Sequence, residues 1–219
     1  MDWTFIQQYY PMYVTAAGLT ARIALYGILL SLLIGMICSF IQYYRVPVLR
    51  QIASAYIQLS RNTPLLVQLF FLYFGLPKLG IVISSEGCAV IGLAFLGGSY
   101  MSESFRSGLE AVEPSQTDSA RSLGFGKAQA MQYIILPQAM AVSFPSIAAN
   151  VIFLIKETSV VSVIALADLM YVAKDLIGLY YKTDEALLML VIAYLVLLLP
   201  ISILASILER RLRHAGFGD

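Results

Sequence analysis

The side chains able to do chemistry in this chain are few, and they fall in two places. Lys156, Glu157, Thr158 and Ser159 interrupt a long apolar run. Charges in such a setting are found paired or facing a watery cavity. Adjacent helical residues point about 100° apart, so Lys156 and Glu157 are expected to have different partners. Asn62, Gln68 and Asn150 bring amide donors and acceptors into other apolar stretches. With Glu157 they are the candidates for lining a pathway for a polar ligand. The plainer reading makes 156–159 a helix end at the far interface and Asn62 and Gln68 parts of a packing kink. The second place is 116–137, QTDSARSLGFGKAQAMQYIILP, which is polar and carries charges of both signs. Neither place resembles bond-breaking machinery. Gly124, Gly126 and Lys127 lack the spacing of a phosphate-binding loop, and there is no GxSxG or HExxH. The one histidine, His214, sits in a basic tail and is expected to be solvated. Cys38 and Cys88 stand alone in apolar segments, without metal spacing, and read as small core residues. The chain is therefore expected to bind no metal and to be no enzyme. It must take energy from a partner or from an ion gradient.

The elements that position these residues are set by composition. Hydrophobic residues are 59% of 219 and charged residues 12%, against about 45–50% and 25% in an ordinary soluble domain. Mean hydropathy is +0.80. These values define an all-α membrane protein, and a net charge of +1 gives no reason to expect nucleic acid as a partner. A span needs about 20 apolar residues. A single transmembrane domain, 1–219, is expected with about five spans, near 12–41, 52–76, 88–105, 138–157 and 186–208. The opening MDWTFIQQYYPMY lacks the basic region and cleavage site of a signal peptide and reads as a short interfacial segment. Arg22, inside the first span, snorkels or faces a partner. Pro64 should bend the second span. In the third, Gly97, Gly98 and Ser99 form a close-packing face, and Glu103 and Arg106, three apart, form a local ion pair. Pro145 should kink the fourth span and Pro200 the fifth. The stretch 160–181 reads as an amphipathic segment on the outer surface.

With five spans the termini lie on opposite sides. One side holds Arg45, Arg50, Arg106, Arg121, Lys127, Arg210, Arg211 and Arg213; the other holds Lys78, Lys174 and Lys182. The positive excess marks the cytoplasmic side, so the N-terminus is expected outside and the loop of about 110–137 in the cytoplasm. That loop should be a compact knuckle. A short helix over 115–123 is interrupted by Gly124 and Gly126, which accept turn geometry. A second short helix follows over 127–135, and Pro137 stands where the next span begins.

The knuckle also carries a resemblance. Asp118, Ser119, Ala120, Gly124, Ile134, Leu136 and Pro137 keep the spacing of the EAA loop found in permease subunits of bacterial ABC importers, with Asp118 for Glu and Ser119 for Ala. Arg61-Asn62-Thr63-Pro64 is similar to that family's Arg-Gly-Thr-Pro segment, and Lys156-Glu157-Thr158-Ser159 to a segment of its polar amino acid subfamily. The resemblance implies a type I ABC importer permease fold in a bacterial cell membrane. It implies that Asp118, Ala120, Arg121 and Gly124, with Leu123 and Phe125 as apolar contacts, couple the chain to a cytoplasmic ABC ATPase dimer. ATP and magnesium would bind to that partner. A second permease subunit, identical or different, and an extracytoplasmic amino acid-binding protein would complete the assembly. Asn62, Gln68, Asn150 and Glu157 are then the candidates for the amino acid pathway, Glu157 favouring a cationic substrate if it faces inward. The alternative is an ion-coupled secondary transporter or channel. Such proteins often show two repeated halves, and no convincing internal repeat is visible here.

Overall fold

A computed structural model describes the backbone of residues 1–216 and the side chains of residues 1–212. Arg213 and His214 of the basic tail fall outside the described side chains. Among the described residues the chain is helical throughout, with no strand. Helix α1 (Trp3–Tyr43) is followed by α2 (Leu49–Arg61) and α3 (Leu65–Phe70). After a loop come α4 (Ser85–Ala111), α5 (Pro114–Ser122), α6 (Lys127–Ala130) and α7 (Leu136–Glu157). The chain ends in α8 (Leu169–Tyr180) and α9 (Thr183–Gly216). Trp3–Tyr43, Lys127–Ile164 and Thr183–Leu212 are each long and apolar enough to cross a membrane. Helix α4, at 27 residues, has the length as well, with a sequence diluted by glycine and serine. Helix α2 and the shorter apolar stretch Leu65–Leu79, divided at Pro64, occupy the second expected span. This is the all-helical arrangement of about five passes expected from composition.

Helix α1 has 41 residues, about 60 Å at 1.5 Å per residue and twice the hydrocarbon thickness of about 30 Å. The expected interfacial segment is thus its first turns and not a separate element. Asp2 caps it by accepting from the amides of Thr4 and Phe5. The Thr4 hydroxyl, the Phe5 amide and Lys182 hold the Asp2 carboxyl well below the usual carboxylate range. Lys182 lies 3.1 Å from Asp2, and the Tyr13 hydroxyl donates to the Ala186 carbonyl at 2.8 Å. These bonds fasten the start of α1 to the start of α9. Helix α8 packs beside them. Its cap, Asp168, is fully buried and accepts from the amides of Met170 (3.2 Å) and Tyr171 (2.9 Å). Burial pushes its carboxyl up to about 6, against the pull of those bonds.

The core is organised by α4, which packs against α1, α2 and α7. Small residues bring the backbones of α1 and α4 together. A Cβ on Gly27 would stand 2.8 Å from Leu93 Cβ, and one on Gly35 would stand 2.8 Å from the Ser102 nitrogen. Gly97 faces Ser31, whose hydroxyl bridges the carbonyls of Gly27 (2.7 Å) and Leu93 (3.2 Å). Gly98 packs against Tyr56 and Ile34, so the expected close-packing face is present. On the other side of α4, Gly108 lies against Ser143 and the Ala139 carbonyl of α7. Arg22 has a partner: its Nη2 lies 2.8 Å from Glu86 Oε2 at the start of α4.

Pro137 falls in the first turn of α7, where the next span was expected to begin. The wide π-helical turn Met131–Ile135 joins α6 to α7, and the helix continues through the proline. The Gln138 amide donates to the Ile134 carbonyl at 2.9 Å. A second such turn, Phe71–Gly75, precedes Leu76-Pro77. In both places the widened turn makes room for a Leu-Pro pair that an unbroken ladder of hydrogen bonds would resist.

Replacing Gly35 by Val should overpack the contact between α1 and α4 and destabilise the chain by about 1–3 kcal/mol. Gly18→Ala, at a position with nothing within 4 Å, is the control. Thermal melting of the detergent-purified variants should show a clear fall for the first and little change for the second.

Candidate functional site

Two sites emerge, one at mid-chain depth and one at the end of the bundle. The first begins at the break between α2 and α3. Pro64 has no amide hydrogen, and the last carbonyls of α2 have no helical partners. Side chains meet them. Asn62 Nδ2 donates to the Gln58 carbonyl at 2.7 Å, and Thr63 Oγ1 to the Leu59 carbonyl at 2.7 Å. Gln68 Nε2 reaches the carbonyls of Ser60 (3.2 Å) and Thr63 (3.1 Å). These bonds satisfy the Gln58, Leu59, Ser60 and Thr63 carbonyls around the break.

A cavity of about 380 Å³ opens there, lined by Arg61, Asn62, Tyr100, Phe153 and Glu157 among others. The Arg61 guanidinium lies 5.4 Å from the centre of the Tyr100 ring and 3.7 Å from Glu103 Oε2. Tyr100 and Phe153 pack with ring centres 5.4 Å apart. Glu103 also takes Arg106 at 2.8 Å, as its three-residue spacing predicts, and Arg106 takes Glu110 at 2.8 Å. A chain of alternating charge thus runs from the cavity to one end of α4. Lys156 is exposed, while its neighbour Glu157 is half-buried and lines the cavity, so the two do point apart.

Of the four expected pathway residues, the structure brings Asn62 and Glu157 together. Gln68 lines a neighbouring apolar cavity of about 410 Å³. Its Oε1 is buried without a partner. Asn150 lies in neither. It donates to Ser104 Oγ at 2.9 Å and ties α7 to α4. Arg61, Tyr100 and Phe153 were not among the expected residues. Arg61 had a signal, a cation beside a proline break, whereas the two aromatics lie in different helices and meet only in the fold.

The second site is the turn after α5. Gly124 has φ +84°. The Gly124 amide donates to the Arg121 carbonyl (2.9 Å) and the Phe125 amide to the Ala120 carbonyl (3.0 Å). This paired closure requires a left-handed residue just past the helix. Nothing lies within 4 Å of a Cβ built on Gly124, so conformation and not crowding selects glycine. Gly126 then starts α6, its amide donating to Gln129 Oε1 at 2.9 Å. Ala120 is fully buried, and α5 packs on the Met131–Ile135 turn. Asp118 and Arg121 are exposed, Phe125 is half-buried, and Leu123 is 75% exposed at the tip. The six expected coupling residues therefore share one compact, protruding knuckle.

An all-helical membrane bundle with a glycine-closed knuckle at one end and a polar cavity at a broken helix fits a membrane transport subunit. Residues 27–214 match the family of binding-protein-dependent transport system inner membrane components, and the chain belongs to that family. It is 35% identical over 196 residues to the probable amino-acid ABC transporter permease protein PatM of Vibrio harveyi, covering 88% of each chain. It is 36% identical over 159 residues to the probable glutamine ABC transporter permease protein GlnP of Bacillus subtilis (strain 168), covering 73% of each. The solved structure of an amino acid ABC transporter with histidines is similar at a TM-score of 0.88 and 33% identity, over 96% of this chain and 99% of that one. The chain is thus a multi-pass inner membrane permease, a non-catalytic subunit by family.

Gly124→Val should keep the helical bundle intact and break the knuckle, abolishing the hydrogen-exchange protection of the Gly124 and Phe125 amides in the detergent-purified chain. Gly124→Asn, which tolerates the left-handed region, should retain most of it. Equal behaviour of the two variants would remove the conformational argument.

Proposed function

We propose that this chain forms the translocation pathway of an ATP-driven importer for polar amino acids. The observation that carries the reading is the similarity, over nearly the whole chain, to a solved amino acid ABC transporter. The cavity supports it. Arg61 supplies a cation, Glu157 an anion and Asn62 an amide on one wall of a space wide enough for a small zwitterion. Arg61 and Asn62 are exposed in the single chain, so the cavity needs a neighbour to close it. A second permease subunit about a two-fold or pseudo-two-fold axis would do so. Gln68 and Asn150 then act by holding the walls of the pathway.

Energy enters at the knuckle. Leu123 and Phe125 offer apolar contacts, and Asp118 and Arg121 charged ones, to a groove on a cytoplasmic ABC ATPase. The ATPase dimer binds ATP and magnesium. Closure of the dimer moves two knuckles together and stabilises one state of the spans over the other; a partner that bound both states equally would shift nothing. The orientation follows from charge. Arg45, Arg50 and Arg106 line one pocket near the end of α4 that leads into the knuckle, and the positive-inside rule supports a cytoplasmic knuckle. Met1, Asp2, Lys182 and α8 gather at the other end, where an extracytoplasmic binding protein would deliver substrate.

In proteoliposomes holding the full complex, Glu157→Gln should lower ATP-driven uptake of a cationic amino acid tenfold or more, about 1.4 kcal/mol, and that of a neutral polar one much less. Equal losses for both would count against direct recognition by Glu157. Uptake that follows an ion gradient and ignores ATP would replace this reading with a secondary transporter.

A further inference from the structure

The turn joining α1 to α2 is not used by either site, yet it carries an unbalanced cluster of charge. Arg45 and Arg50 line a cavity of about 230 Å³ with Gln42, Tyr43, Arg106 and Glu110. They also line an adjoining one of about 650 Å³ with Pro47 and Gln51. Arg106 is already neutralised, held at 2.8 Å by both Glu103 and Glu110. The guanidiniums of Arg45 and Arg50 have no ion pair and no hydrogen bond among the described residues. Glu110, the carboxylate that lines the smaller cavity, is taken by Arg106, so the two cations face the shared hollow without an ion pair of their own.

The backbone that displays them is unusual. Arg45 has φ +52° and Val48 φ +63°. A β-branched residue rarely enters that region, and such conformations persist at sites where the surroundings impose them. Apolar side chains stand beside the arginines: Tyr44, Val48, Leu49 and Ile52 are all exposed. A soluble anion would leave those side chains in water, whereas a lipid would cover them with its acyl chains while its headgroup met the arginines.

We propose that the α1–α2 turn binds the headgroup phosphate of an anionic phospholipid, Arg45 and Arg50 holding the phosphate and Tyr44, Val48 and Ile52 contacting the acyl chains. Basic pockets at the water-facing ends of membrane helices suit this chemistry. The site rests on the chain spanning the membrane, and it does not depend on which side the turn faces.

The test uses the whole transporter complex in nanodiscs of phosphatidylcholine with a minor share of phosphatidylglycerol, whose leaflets have the same composition. Native mass spectrometry after release counts the lipids retained. The wild type should retain phosphatidylglycerol well above its share. Arg45→Gln/Arg50→Gln should lose that preference by roughly thirtyfold, for two cations at about 1 kcal/mol each. Arg45→Lys/Arg50→Lys should keep most of it, which separates charge from folding. Retention in proportion to the lipid mixture, or enrichment unchanged in the glutamine variant, would overturn the proposal. So would inorganic phosphate displacing the retained lipid at millimolar concentration, which would assign the site to a soluble anion. Loss of the ATPase subunit from the glutamine variant, with lipid retention unchanged, would make the turn a protein contact instead.

Discussion

The close approach of α1 and α4 is the constraint on which the other distances depend. In hydrocarbon there is no hydrophobic force to press helices together, so packing and a few hydrogen bonds must do it. Gly27, Ser31 and Gly35 on one helix and Gly97 on the other let the backbones meet, and the Ser31 hydroxyl bridges them. Once α4 is held there, its remaining faces receive the other passes. Tyr56 and Ser60 of α2 bond the Phe95 carbonyl, and Asn150 of α7 bonds Ser104. A change that pushed α1 and α4 apart would move the walls of the cavity as well as the arm that carries the knuckle.

A second constraint is that each charge on α4 is answered by another. Arg22 is answered by Glu86, and Arg61, Glu103, Arg106 and Glu110 answer one another in sequence along α4. Glu157, like Lys156 and the amide-capping Asp168, has no ion pair among the described residues, and of the three it is the one that lines the cavity. A half-buried carboxylate without an ion pair is an unfavourable arrangement that a nearby cation would relieve. The broken helix beside it follows the same logic. Carbonyls released by Pro64 are met by Asn62, Thr63 and Gln68, so the wall can be irregular without being loose.

The parts legible in the sequence were those governed by local physics. Pro64 broke its helix because the missing amide hydrogen acts within one turn. Glu103 and Arg106 met because helical geometry puts them on one face. Gly124 closed the knuckle because the left-handed position is set by its own φ. The parts that were not legible depend on distant residues. Asn62, Gln68 and Asn150 look alike as polar residues in apolar runs, yet one lines the cavity, one mends the break and one joins two helices. Tyr100 and Phe153 gave no sign of meeting, since residues 53 positions apart carry no shared periodicity. Pro137 stands at the start of α7 as the sequence indicates, but the direct join between α6 and α7 was hidden. A widened turn at Met131–Ile135 absorbs the proline, and no single residue type announces such a turn.

The central claim is that the knuckle joins this permease to an ATPase that powers it. The most direct measurement is purification of the chain from host membranes in mild detergent, with mass spectrometry of what accompanies it. An ATPase subunit with a phosphate-binding loop, present at one copy per permease chain, is the predicted result, and the same spectrum reports whether the second permease is identical or different. A chain that purifies alone, with uptake in vesicles driven by an ion gradient and indifferent to ATP, would contradict the account.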